Sequence, residues 1–322
     1  SRLTARGRVV PREGRMTLLI DARRVSAAVS ALPGFEGDGY TLDLREERIE
    51  VPATRDLERA APDLGGALDT VAARGNGLLL VAAPGGAEAG AGLRAILELL
   101  DPRLPRRVAV GEWPGIPGLE LLAPPGDEEE VPPGALVERA LEHRPDLLAL
   151  AGVSRPGELL AALALARERV VVAVLPSRDA FAAVEWIVRA GYGPPAGEGG
   201  LTGILAVRLL ESLCSACRRA CDLRDLRSSG PGGRLAAGGP YFTGQGCTLC
   251  RGSGVRRLAP IYEFLPTGAD DGLFRVGMSA AGLRERCARA GMVTLASAAL
   301  SRAAEGSVDV RESLRLLLHE PS

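Results

Sequence analysis

The sequence predicts an α/β protein built on a doubly wound, mostly parallel sheet, with a small α+β domain in front and a cysteine-rich insert near the end. Three observations carry that expectation. Continuous apolar runs of strand length, at 77–83 and 170–175, alternate with longer segments of helical period, which is the pattern of strands buried on both faces. The rhythm changes near residue 62, which separates a domain 1–62 from a domain 63–322. Two Cys-x-x-Cys pairs joined by a glycine-rich linker then interrupt the α/β alternation.

Residues 1–62 alternate short polar and apolar segments with turn signals at Pro11-Arg12-Glu13-Gly14-Arg15, Pro33-Gly34 and Gly37-Asp38-Gly39, so 16–20 and 40–44 read as strands of a small sheet. In the second domain a helix is expected over 64–74, a buried strand over 77–83, a glycine-rich turn and a helix over 92–100. Strand and helix then alternate over 107–110, 135–143, 146–151, 157–169, 170–175 and 179–191. A further apolar helix is expected over 201–213, and after it a loop-rich insert, 214–250, with Gly230-Pro231-Gly232-Gly233 as its flexible middle. Helices over 280–290, 295–305 and 309–319 make a C-terminal helical segment, 278–322.

Composition removes several functions. With 322 residues and a net charge of −1, the chain has no basic excess for a polyanion, and aromatic content of 3% is too thin for a single-strand-binding surface. No nucleic-acid partner is expected. None of the 39 basic residues is Lys, so Schiff-base chemistry, Ser-Lys dyads and the lysine of a standard phosphate loop are all excluded. No apolar run reaches the roughly 18–20 residues that span a bilayer. The start at Ser1, with no initiator Met or signal region, suggests a piece of a longer chain in a cytoplasmic setting. His143 and His319 read as helix-surface residues, Trp113 and Trp186 as packing residues, and Arg218, Arg219, Arg224 and Arg227 as solvated charge.

Strand, glycine-rich turn and helix over 77–100 make the layout of a phosphate-binding loop, where backbone amides and a helix start cradle phosphates. Its residues are Ala83, Pro84, Gly85, Gly86, Ala87, Glu88, Ala89 and Gly90. Laid on G-x-x-x-x-G-K-[ST], Glu88 takes the second glycine, Ala89 the lysine and Gly90 the magnesium-binding hydroxyl. A carboxylate there repels a triphosphate, so ATP and magnesium are not expected as ligands.

The four cysteines Cys214, Cys217, Cys247 and Cys250 form two turn-like pairs separated by 29 residues, a pattern suited to a closed tetrahedral structural zinc site. Reduced, metal-free thiols are the alternative. Cys221 and Cys287 read as isolated thiols, and disulfides do not suit a reducing compartment.

Several stretches, in order, resemble the C-terminal part of the type II secretion and type IV pilus assembly ATPase family. They are Pro11 to Arg15, Val29-Ser30-Ala31-Leu32-Pro33, the loop after Gly77, Gly111-Glu112-Trp113-Pro114 and Arg144-Pro145-Asp146-Leu147-Leu148. The most specific are Arg208-Leu209-Leu210 with Leu213-Cys214-Ser215-Ala216-Cys217, then Gly246-Cys247-Thr248-Leu249-Cys250, Pro260-Ile261-Tyr262-Glu263 and Gly291-Met292-Val293-Thr294-Leu295. The resemblance implies a PAS-like first domain, a RecA-like second domain, and hexameric rings at the cytoplasmic face of the inner membrane that drive a pilus-like machine through a platform protein.

The departures fall on the nucleotide-facing boxes. The family's Gly-Glu after the Walker B strand is Ala151-Gly152, its His-Thr box is Pro176-Ser177, and the Asp of its Glu-Asp-Pro box is Trp113 beside a retained Glu112. Of two arginines that the first domain offers a neighbour's nucleotide, Arg15 persists and the other falls on Ala28. The expected function is therefore a non-catalytic homologue that acts by assembly, peripheral to the membrane at most, with an active ATPase paralogue, a platform or a cytoplasmic assembly protein as partner. The alternative is a nucleotide binder in which Arg94 or Arg107 replaces the missing Lys.

Overall fold

The computed structural model describes residues 12–20, 23–34, 37–46, 57, 60–100, 103–111, 113, 118–122, 133–192, 200–221, 240–267 and 279–318. Glu112, His319 and the Gly230–Gly233 stretch lie outside the described residues. The chain forms two compact units, 1–49 and 50–322.

The first unit is an antiparallel meander of β1 (Arg12–Ile20), β2 (Arg23–Gly34) and β3 (Gly37–Glu46). Its strands are longer than the alternation suggested. Arg12 to Arg15, expected as part of a turn, pair with β2 from Ala31 to Ala28. Pro33 and Gly34 end β2 against Asp38 and Gly37, so those turn signals belong to the ladder itself. The register sets Arg15 directly opposite Ala28.

The second unit is a seven-stranded sheet in the order β12-β9-β4-β8-β7-β5-β6. Its strands are β4 (Gly77–Ala82), β5 (Arg107–Val110), β6 (Glu120–Leu122), β7 (Leu147–Leu150), β8 (Val170–Leu175), β9 (Leu201–Leu213) and β12 (Val255–Pro266). Every pairing is parallel except β12 with β9. The hairpin β10 (Arg218–Cys221) and β11 (Tyr241–Gly244) stands apart as a second small sheet.

Period-two alternation divides the buried strands between two apolar layers. Leu79, Val81, Val172 and Val174 face one layer with α1 (Pro62–Arg74) and α2 (Gly86–Leu100), whose Leu64, Leu68, Leu93 and Ile96 are fully buried. Leu78, Leu80, Val171 and Ala173 face the other. That layer holds α3 (Pro133–Glu142), α4 (Pro156–Leu165), α5 (Ala180–Arg189), α6 (Ala280–Arg289) and α7 (Leu295–Ala304). A last helix is α8 (Val310–Leu318). Helices thus cover both faces, as the two-sided apolar character of the strands requires.

Residues 201–213, expected as a helix, form the strand β9. Ile204 and Ala206 enter one apolar layer while Leu205 and Val207 enter the other, so both faces are apolar and the alternation is invisible in the sequence. Thirteen residues is long for a strand, and that length suggested a helix. The antiparallel partner β12 was not foreseen either. Gly203 is required where it stands, because a Cβ there would come within 2.4 Å of the Phe264 ring across that pairing. Helix α2 also begins six residues earlier than the expected 92, at Gly86. Its Gly92 lies against β4, where a Cβ would come within 2.6 Å of Val81.

Candidate functional site

All the parallel strands end at one edge of the sheet, and the loop after β4 lies at that edge. Ala82 closes β4 between Leu175 of β8 and Ala206 of β9, and the Ala83 amide donates to the Leu175 carbonyl at 3.2 Å. Pro84 and Gly85 turn the chain, and the Ala89 amide closes the first turn of α2 on the Gly85 carbonyl at 3.0 Å. Among the described residues the amides of Gly86, Ala87 and Glu88 donate to no acceptor, as is usual for the first turn of a helix. Glu88 bends back toward the loop: its Oε2 is buried without a hydrogen-bond partner and lies 3.1 Å from where a Cβ on Gly85 would stand.

Beside this loop the structure gathers charges that the sequence reading did not bring together: Arg208 and Glu263 stood in separate resemblance stretches, and Asp179 and Arg284 were not named as site residues. Asp179 caps α5, its Oδ1 accepting from the Ala182 amide at 2.6 Å and its Oδ2 from Arg284 at 2.7 Å. Arg284 also lies 5.2 Å from the centre of the Phe181 ring. Glu263, on β12, is 1% exposed and joins two helix starts, accepting from Ala180 of α5 at 3.0 Å and Leu295 of α7 at 2.9 Å. Burial, with Asp179 adding to it, pushes the Glu263 carboxyl up to about 7 against the pull of those two amides and of Arg284. Arg208, on β9, donates to the carbonyls of Val207 and Arg178, and burial holds its guanidinium below the usual range while Glu88, Asp179 and Glu263 oppose that fall. Glu263 entered the sequence reading only as the last residue of the Pro260-Ile261-Tyr262-Glu263 stretch, with no role attached to it.

The positions named from sequence separate into those that meet here and those that do not. Pro84, Gly85, Gly86, Glu88, Ala89 and Gly90 form the loop and first turn as described. At the end of β7, Ala151 fills the space against Gly111, where a Cβ would come within 2.6 Å, and Gly152 has open space around it. The next carboxylate along the chain, Glu158, is occupied capping α4 through the Ser154 and Arg155 amides. Trp113 is buried in the layer under α2, and Trp186 packs on the other layer. His143 is exposed just before β7, at the opposite edge of the sheet from the loop. Neither candidate substitute for lysine reaches the loop. Arg94 pairs with Glu98 along α2, and Arg107 stands at the register level of Leu147 and Val170, where the strands begin.

The cysteine pairs come together. Cys214 and Cys217 lie between β9 and β10, Cys247 and Cys250 between β11 and β12, and all four sulfurs lie within 4.8 Å of one another. Cys214 to Cys247 is 3.8 Å, Cys217 to Cys250 is 3.7 Å and Cys247 to Cys250 is 3.7 Å. Each pair is a tight turn: the Cys217 and Arg218 amides donate to the Cys214 carbonyl, and the Gly252 amide to that of Cys247. Glycines permit the approach, since a Cβ on Gly244 would meet the Gly254 carbonyl at 2.4 Å and Gly254 has φ +76°. Burial raises the Cys250 thiol, but the amides of Cys247 and Gly254, at 3.1 and 3.2 Å, outweigh it and bring it down to about 6. Burial and the hydrogen bond with Cys250 push Cys217 up to about 11. Cys250 is thus the easier of the two to hold as a thiolate. Cys221 lies on β10 and Cys287 on α6, outside the cluster.

Comparison with known proteins identifies the frame around these features. Residues 1–315 match the family model described as type II/IV secretion system protein. The type II secretion system protein E of Dickeya dadantii is 30% identical over 267 residues, covering 80% of this chain and 51% of that protein. The type IV pilus assembly ATPase PilB of Thermus thermophilus is 26% identical over 318 residues, covering 95% of this chain and 35% of that one. The chain spans about half the length, or less, of these two relatives. The structure of the Legionella pneumophila ATPase DotB superposes with a TM-score of 0.55 at 12% identity, over 97% of this chain and 78% of that one, and so shares the fold. No helix among the described residues is long and apolar enough to cross a membrane. Matched along nearly its whole length, with its cysteine pairs brought together beside a mostly parallel α/β sheet, the chain belongs to the type II/IV secretion system protein family.

Proposed function

We propose that the chain is a non-catalytic subunit of a secretion or pilus motor assembly, built on an ATPase fold and organised at one end by a structural zinc. The observation that carries the first part is the composition of the loop edge. The first turn of α2 bears Glu88 where a phosphate loop needs no negative charge, and Ala89 and Gly90 where it needs an amine and a hydroxyl. Each nearby carboxylate among the described residues is committed or misplaced. Asp179 caps a helix and pairs with Arg284, Glu263 holds two amides in the interior, and no side chain at Ala151 or Gly152 can orient a water. These residues do not fit a magnesium nucleotide, and no hydrolytic step is derived through one.

The cysteines do fit zinc. Four sulfurs about 2.3 Å from a common ion sit about 3.8 Å from one another in a regular tetrahedron; three of the sulfur pairs here stand at 3.7–3.8 Å and all four sulfurs lie within 4.8 Å. Cys214, Cys217, Cys247 and Cys250 would hold the ion, which supplies charge neutralisation and a crosslink and leaves no open position for catalysis.

The remaining use of such a scaffold is contact. The resemblance supplies the setting: the cytoplasmic face of the inner membrane, with an active ATPase paralogue, a platform or a cytoplasmic assembly protein as partner. Arg15 and Glu112 are kept as remnants of an interface that a nucleotide would otherwise bridge. Self-association is therefore expected to be weak, with monomer or small oligomer at micromolar concentration by light scattering. Crosslinking in the native cell is expected to recover a motor, platform or assembly protein. A stable homohexamer in dilute, nucleotide-free solution contradicts the weak association, and recovery of none of those components contradicts the assembly role.

A further inference from the structure

The loop before α2 combines three unused backbone donors with a carboxylate that lies over it. A glutamate in the first helical turn is favoured by the helix dipole, and from that position its side chain can either extend into solvent or fold back on the loop. Glu88 folds back. Its Oε2 is fully buried, hydrogen-bonds to nothing, and comes so close to Gly85 that a methyl group there would meet it at 3.1 Å. The amides of Gly86, Ala87 and Glu88 are left without acceptors among the described residues. On the neighbouring strand Arg208 is fixed by two backbone carbonyls, and it makes no ion pair or hydrogen bond with Glu88. Its positive charge is felt at Glu88, and it is shared with Asp179 and Glu263.

We propose that Glu88 is the loop's own anion, an autoinhibitory contact in which its carboxylate takes the space and the positive field that a polyphosphate would use. The inference rests on the non-catalytic reading of the chain and goes further, because it assigns the closure of the loop to one removable charge. The missing lysine alone would leave a weak anion site of open amides and an arginine; Glu88 converts it into a closed one. Gly85 is part of the device, since a Cβ there would press on the folded carboxylate at 3.1 Å.

The probe is inorganic pyrophosphate without magnesium, titrated into the full chain and read by calorimetry and thermal melting. Wild type is expected to show no binding at millimolar pyrophosphate. Glu88→Gln, which keeps the shape and removes the charge, and Glu88→Ala, which removes both, are each expected to bind about tenfold or more tightly than wild type, and to melt at higher temperature with pyrophosphate present. The proposal is overturned if both variants fold cooperatively and still bind no pyrophosphate, or if wild type binds it as tightly as they do. A variant that fails to melt cooperatively is set aside for the other, whose titration then decides. Failure of the variants to gain binding while wild type ignores nucleotide removes this inference and leaves the non-catalytic reading standing. Binding of nucleotide by wild type removes that reading.

Discussion

Stripping zinc from the purified protein with a chelator is expected to loosen the cysteine turns and the C-terminal helices together, while the parallel sheet stays folded. The turns hold few apolar contacts of their own, so the roughly 10 kcal/mol coupled to binding a structural zinc decides their order. The effect should travel because the cluster is tied to the C-terminal segment. The Leu213 amide donates to the Ser307 carbonyl at 2.8 Å, and Arg218 donates to the Gly306 carbonyl at 2.9 Å while lying 5.4 Å from the Phe242 ring centre. Tyr241 of β11 shares a small apolar cluster with Ala296, Ala303, Val310 and Leu314 of α7 and α8. β4, β7 and β8 belong to the two large apolar layers and owe nothing to the cysteines. Hydrogen exchange with and without chelator should therefore show lost protection over 213–221, 241–255 and 296–314 and unchanged protection over 77–82 and 170–175. Freshly prepared, reduced protein is expected to carry one zinc per chain and Cys250→Ser much less. Elemental analysis that finds no zinc refutes the metal assignment, and exchange that changes only at the cysteine turns refutes the coupling.

Replacing Glu263 is expected to be the most damaging single substitution at the loop edge. Its two oxygens satisfy the first amides of α5 and α7, and Glu263→Ala leaves two buried donors unpaired at about 1–3 kcal/mol each, with a cavity beside them. A total of about 3–5 kcal/mol is expected by urea unfolding, a large part of the stability of a typical domain. Glu263→Gln keeps one acceptor and turns an amide donor toward the other backbone N–H, so about 1–3 kcal/mol is expected. The carboxyl also sets a pH dependence. Its value in the folded protein, raised to about 7, exceeds the ordinary 4.5, so the native state holds the proton more tightly between those values. The stabilisation linked to that proton is complete below about 4.5 and is lost as the pH rises through about 7. Wild type should therefore lose stability from pH 5 to 8 by a component that Glu263→Gln lacks. An equal slope in both proteins would show that Glu263 does not titrate in that range.

The parallel sheet and the cysteine cluster were legible because each leaves a local signature. Runs such as Leu78-Leu79-Leu80-Val81 are apolar on both faces, which only a strand between two layers needs, and Cys-x-x-Cys spacing sets two sulfurs on one turn. β9 was misread for the same reason that β4 was recognised: a strand buried on both sides has no alternation, and at thirteen residues its length argues for a helix. The Asp179, Glu263, Arg208 and Arg284 group was invisible because its members lie on α5, β12, β9 and α6 and meet only when the sheet order places β12 and β9 beside β4. Arg94 and Arg107 failed as lysine substitutes for a related reason. Sequence distance from the loop says nothing of which edge of the sheet a residue reaches, and Arg107 begins its strand where the loop's strand also begins.

The most direct test of the non-catalytic reading is to add millimolar ATP and magnesium to the zinc-loaded chain and record thermal melting and phosphate release together. A ligand at a hundred times its dissociation constant would add about 2.7 kcal/mol of stability, well above what melting resolves. An unmoved melting temperature and phosphate release no greater than a protein-free control are expected. A reproducible upward shift, or release of phosphate above that control, would contradict the account.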